Sequence, residues 1–293
     1  MFDDYRSIGM SEYPSQDSIV VLHASVSHND PGEIVGSNVW FVSALFHEYL
    51  TANEIAVDAL RSYYVDYYLA QVNNGGFSQF VYNSHWHPFI IAFVREGLRA
   101  MGSKRHLEVF EEGVRLLGEL GSEGLDEYLT SGYFGDNAGR DELNVLDDNF
   151  LAAEKVEDLL ALNGTWLRKH AQLCPMPSLE LMRQEAHRRG QTLPDRERRI
   201  ADARAKEPRY MKLIRSLCAC SEQQLERITA GDPTRIYEGA ATTAWHFITD
   251  KGHHHMVDTG GKAIMFRGHS TTDRVCEVEA PIKLASSVTT PNM

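Results

Sequence analysis

Cysteine is scarce: Cys174, Cys218, Cys220 and Cys276 are the only four in 293 residues. That is too few for a disulfide framework in a chain this long. No run of about 18 apolar residues occurs, which excludes a hydrophobic spanning helix. The opening MFDDYRSIGMSEYPSQD is acidic and lacks an apolar centre, so it does not read as a secretory leader. Motifs for nucleophilic and phosphate chemistry are missing too. There is no GxSxG elbow to present a serine, no HExxH or CxxC pair to hold zinc, and no Gly-Lys-Ser/Thr ending to cradle a phosphate. The expectation is a cytoplasmic, reduced protein with no cofactor and no assigned catalytic residue.

What is present is a lopsided charge. The chain carries −12 overall. Between Glu108 and Asp158 stand fifteen acids against Arg115, Arg140 and Lys155, and fifteen minus three gives the same excess of 12. From Leu179 to Gly231 the balance reverses, with twelve bases and eight acids, about +4. The hydrophobic fraction of 43% is enough to bury a real core.

The most informative stretch is Tyr63 to Ser84, YYVDYYLAQVNNGGFSQFVYNS. Ile55, Ala59, Leu60, Tyr63, Tyr64, Tyr67, Tyr68 and Val72 recur every three or four residues, predicting an amphipathic helix over 54–72. Asn73-Asn74-Gly75-Gly76 stops it, because Asn and Gly reach the left-handed conformation cheaply. Phe77, Phe80 and Val81 open a new apolar face at once. This run, with LNVLDDNFLAAEKVEDLL at 143–160, resembles the bacterial DNA-mimic protein family typified by DMP-nineteen, over roughly Val39 to His170. The resemblance implies a helical fold and a protein partner, a DNA-binding protein such as a transcription regulator.

Elsewhere, Ser18 to Ser25 reads as a short strand, Ser27 to Gly36 as loop and Trp40 to Leu50 as a short helix. Helices are expected from Pro88 to Met101, His106 to Leu120, Glu123 to Leu129, Asp141 to Phe150 and Ala152 to His170, with a loop over Thr130 to Arg140. Cys174-Pro175-Met176-Pro177 reads as a linker, since two prolines disallow a continuous helix. Beyond it, Leu179 to Arg189, Asp195 to Lys206, Arg209 to Cys218 and Glu222 to Thr229 read as helical, the last stopped by Gly231-Asp232-Pro233. The period then changes to two. Thr242 to Thr249, His253 to Asp258, Lys262 to Arg267 and Arg274 to Glu279 read as strands, with Thr259-Gly260-Gly261 as a hairpin turn. Ser286 to Met293 is expected to fray. The fold class is therefore α+β: an N-terminal extension (1–38), a helical domain (39–173), and helices plus a short antiparallel sheet (178–293).

Two sites are candidates. DNA-binding proteins meet regularly spaced phosphates with Lys and Arg, and carboxylates on a rigid helical face offer those bases a comparable field. The candidate partner-binding acids are Glu108, Glu111, Glu112, Glu119, Glu123, Glu127, Asp141, Asp147, Asp148 and Asp158. Ordinary solvated helix faces are the bland alternative. The basic segment supplies another, as an internal partner for the acids. The second candidate is a metal-dependent enzyme or binding module built on His246, His253 and His255, since His253 and His255 would share one strand face. No direct nucleic-acid or membrane partner is expected, and a homodimer stays open. Asp136 to Glu142 resembles a calcium loop but fails the EF-hand spacing.

Overall fold

In the computed structural model, which describes residues 14–131, 133 and 137–280, the chain divides into two compact units, 1–196 and 197–293. The expected fraying of Ser286 to Met293, and the loop positions 132 and 134–136, lie outside the described residues.

In the first unit β1 (Ile19–Leu22) buries Ile19, Val20 and Val21 completely and pairs in parallel with β2 (Leu173–Met176). The expected linker at Cys174 to Pro177 is therefore mostly a strand. Proline can sit in it because a two-stranded ladder leaves one side free of donors to match. After the short α1 (His23–Val26), α2 (Pro31–His47) starts earlier than the expected loop allowed. Asp30 caps it by accepting the Gly32 N–H at 2.8 Å, and Pro31 takes the first helical position, where a missing N–H costs nothing.

The signature run forms α3 (Val57–Ser84), bent at the glycines. Gly76 has φ 81°, a conformation that side chains disfavour, and a Cβ there would overlap the Asp147 carboxylate. α4 (Pro88–Met101) ends at left-handed Gly102. α5 (Lys104–Thr130) joins the two helices expected there through a bend at Gly121. α6 (Ala138–Leu143), α7 (Asp147–Glu154) and α8 (Leu159–Arg168) follow, so the helix expected over Ala152 to His170 is broken at 155–158. There Asp158 caps α8, accepting the Ala161 N–H at 2.8 Å. α9 (Leu179–Gln191) and the start of α10 (Arg196–Lys206) complete the unit.

The core of this unit is aromatic at its centre. Tyr68 is fully buried, with ring centroids of Phe80, Phe110, Phe150 and Phe77 at 5.1, 5.5, 5.7 and 6.2 Å, all near edge-to-face. Such pairs add roughly 0.5–1.5 kcal/mol each beyond the area they bury. No helix among the described residues is long and apolar enough to cross a membrane.

The second unit packs α11 (Arg209–Cys220) on a five-stranded antiparallel meander of β3 (Leu225–Tyr237), β4 (Ala240–Thr249), β5 (Gly252–Asp258), β6 (Lys262–Arg267) and β7 (Arg274–Glu279), in that order. Leu213, Ile214 and Leu217 meet Phe247, Met256 and Met265 in its core. Four strands stand where the alternation placed them. β3 does not: the expected helix over Glu222 to Thr229 is the start of the edge strand. That strand runs through Pro233, where register shifts between Asp232 and Arg235 absorb the missing donor. The α+β class holds, and none of the four cysteines is disulfide-bonded.

Candidate interaction face of the helical unit

Ion pairing sorts the acids of α5. Arg115 reaches Glu112 with two bonds of 2.6 and 2.9 Å and also pairs with Glu119, one turn away on the other side. The Arg115 hydrogen bond holds the Glu112 carboxyl below its ordinary pKa. Arg105 holds Glu108 at 3.0 Å. Glu111 is taken by α4: Arg95 grips both its oxygens at 2.7 and 3.0 Å, and Arg99 adds a contact of 3.2 Å. Exposed pairs like these add little to stability, because water and salt screen them. Their larger consequence is that four of the ten candidate acids project little net charge.

Four other acids are engaged locally. Asp141 pairs with Arg140 at 2.9 Å, and Asp158 is spent on its helix cap. Asp147 is half-buried, and its Oδ1 accepts the Phe77 N–H at 2.8 Å. Burial pushes its carboxyl above the ordinary value against that bond, and Asp148 adds to the rise. Glu157 closes the N-terminus of α5, accepting the Ser103 hydroxyl at 2.9 Å and the Arg105 and Lys104 N–H groups at 2.9 and 3.3 Å. Burial would raise its pKa, but these bonds outweigh it and hold the carboxyl low.

Five acids remain exposed with no ion pair or side-chain hydrogen bond among the described residues: Glu123, Asp126 and Glu127 after the Gly121 bend, Glu142 on α6 and Asp148 on α7. Asp126 and Glu142 were not singled out from sequence. The signal that finds them is the absence of Arg or Lys three or four residues away. Glu108, Glu112 and Glu119 each have one at that spacing, whereas these five have none.

Between α5 and α6 a cleft of about 470 Å3 is lined by Glu119, Leu120, Glu142 and Val145. Between α5 and α7 a second of about 420 Å3 is lined by Glu108, Glu112, Ala152 and Val156. Val145, Leu151 and Val156 are 63%, 53% and 75% exposed. Carboxylates and bare aliphatic side chains thus share the α5–α7 surface.

That surface lies within the span that a family model matches. Residues 53–170 match the model of the DMP19-like protein family. The matched span holds both runs on which the resemblance rested, and the bend at Gly75–Gly76 and its Asp147 partner both fall inside the DMP19-like region. No curated protein and no solved structure matches the chain.

In the basic segment, the arginines of α9 and Arg196 at the start of α10 have ion pairs with acids outside the candidate set. Arg183 pairs with Glu180 at 2.7 Å, Arg188 and Arg189 with Glu185 at 2.7 and 2.8 Å, and Arg196 with Glu48 at 2.8 Å.

The histidine candidates lie outside the DMP19-like region, on β4 and β5. His246 stands opposite His255 in the ladder, with ring centroids 5.4 Å apart, and 5.3 Å from His253. His269, from the β6–β7 loop, joins them at 4.8 Å from His253. Burial lowers the pKa of His246, His253 and His255. The other imidazoles and Arg235 lower it further for His246, and for His255 a hydrogen bond with the Gly268 carbonyl opposes the shift.

Proposed function

We propose that the DMP19-like domain is a non-enzymatic interaction module that occupies the basic surface of a DNA-binding regulator, imitating duplex phosphates with carboxylates. The observation that carries this reading is the set Glu123, Asp126, Glu127, Glu142 and Asp148, which have no ion pair among the described residues, whereas Glu108, Glu111, Glu112, Glu119 and Asp141 each meet an arginine. A solvated face would gain from local Arg or Lys partners at helical spacing, and here the partners are withheld. The exposed Val145, which shares a cleft with Glu142, and the exposed Leu151 and Val156 on and just after α7 suit a protein partner better than water, since contact surfaces set apolar centres within polar rims. Asp147 and Asp158, among the original candidates, act as caps in this reading, and the paired Glu108, Glu111, Glu112, Glu119 and Asp141 act as rim.

The test is a competition. A purified DNA-binding regulator held on immobilised chain should be released by free duplex DNA and by raised salt. The E123K/E127K/E142K variant should fail to hold it. Retention of the regulator by that variant, or indifference to duplex, contradicts the reading.

A further inference from the structure

The β4–β5 hairpin turns His246 and His253 to the same side of the sheet, and their rings lie nearly parallel, 10° apart. His246 Nδ1 and His253 Nε2 are 3.2 Å apart. Two imidazole nitrogens on one tetrahedral zinc ion, each about 2.0–2.1 Å from it, stand about 3.3 Å from one another. His269 comes from the loop after Gly268, its ring 4.8 Å from His253 and 5.3 Å from His246. The Arg235 guanidinium holds that loop through the His269 carbonyl at 3.2 Å.

His255 is excluded from the group. Its Nδ1 lies 2.7 Å from the Gly268 carbonyl and its Nε2 is 3.3 Å from the Arg235 guanidinium. Its ring is buried and stacked on Phe266 at 5.2 Å. Both nitrogens are therefore taken, and one of them faces a fixed positive charge. The histidine set suggested by sequence alternation is thus changed by one member.

We propose that His246, His253 and His269 bind one divalent transition-metal ion of the zinc, nickel and copper class. Three imidazole donors beside a guanidinium suit ions that bond well to nitrogen and disfavour calcium or magnesium, which need several oxygen ligands. Among the described residues no three side chains of His, Cys, Asp or Glu already meet at coordination distance. Binding therefore requires a ring to rotate, and exposed His269 is the one free to do so. Water completes the coordination. The bound ion ties β4 and β5 to the β6–β7 loop.

The experiment uses the full chain without a histidine tag, stripped by chelator and dialysed, then titrated with zinc chloride by calorimetry. One equivalent should bind saturably, and H269A should weaken it at least about tenfold, the loss that even outer-sphere partners of a metal cost. H187A, a change at an exposed histidine of α9, should leave binding unchanged. Electron paramagnetic resonance of the copper-loaded chain should show nitrogen ligation that diminishes in H269A. Circular dichroism separates loss of a ligand from loss of the fold, and H253A is read only if it keeps the wild-type spectrum. Several weak equivalents unaffected by H269A, that is, adventitious surface binding only, overturn the proposal, as does failure of zinc to bind.

Discussion

Asp147 Oδ1 accepts a 2.8 Å hydrogen bond from the Phe77 N–H, across 70 residues of sequence. The bond ties the two runs on which the family resemblance rests into one device. The glycine corner frees the first N–H groups of the helical segment after Gly76, and a carboxylate from the start of α7 satisfies one of them. Asp147→Ala should cost about 1–2 kcal/mol in urea unfolding, since a partly buried donor is left unmade. Gly76→Ala should cost more, because its positive φ and the nearby carboxylate penalise any Cβ.

The aromatic centre should dominate stability. Phe110 is fully buried, 5.5 Å from Tyr68 and 6.2 Å from Phe80. Phe110→Ala should destabilise by about 3–5 kcal/mol, combining lost transfer energy with the cavity left behind. Denaturant unfolding followed by tyrosine and tryptophan fluorescence measures it.

Acid should weaken the α5 cap. The Glu157 carboxyl is held below its ordinary pKa, because its hydrogen bonds from Arg105, Ser103 and Lys104 outweigh burial. For a depressed carboxylate the folded state binds fewer protons than the unfolded state, so the contribution is complete above the unfolded pKa and lost as pH falls through the folded one. Thermal melts should therefore separate wild type from E157Q at neutral pH, and the gap should narrow below about pH 4.5. A constant gap down to pH 3 would contradict the assignment.

Much of this was legible before the fold was seen. The helix–corner–helix at Gly75–Gly76 followed from local conformational cost, and β4 to β7 from strict alternation. What escaped was set by distant partners. β2 contains Pro175 and is a strand only because β1 arrives from 154 residues away to pair with it, Val21 opposite Pro175. β3 begins at Leu225, inside the run SEQQLERIT, whose spacing suits a helix, and sheet pairing with β4 overrides that preference. The acids divide the same way. The Arg115 pairs are visible as three- and four-residue spacings, whereas the grip of Arg95 on Glu111 depends on how α4 packs beside α5.

Unmasking paired acids should strengthen the field. Arg115→Gln removes one cation and frees both Glu112 and Glu119. If carboxylates steer a basic partner, this variant should associate faster than wild type at low salt and converge with it at high salt, where screening lengths shorten to a few ångströms. Stopped-flow association rates provide the check.

The central claim is that Glu123, Asp126, Glu127, Glu142 and Asp148 act together on a basic protein surface. Its most direct test is the salt dependence of the association rate with a DNA-binding regulator, comparing wild type with the variant in which these five are changed to Gln or Asn. The account predicts a steep decline with salt for wild type and a nearly flat, slower profile for the variant. Two superimposable curves would contradict it.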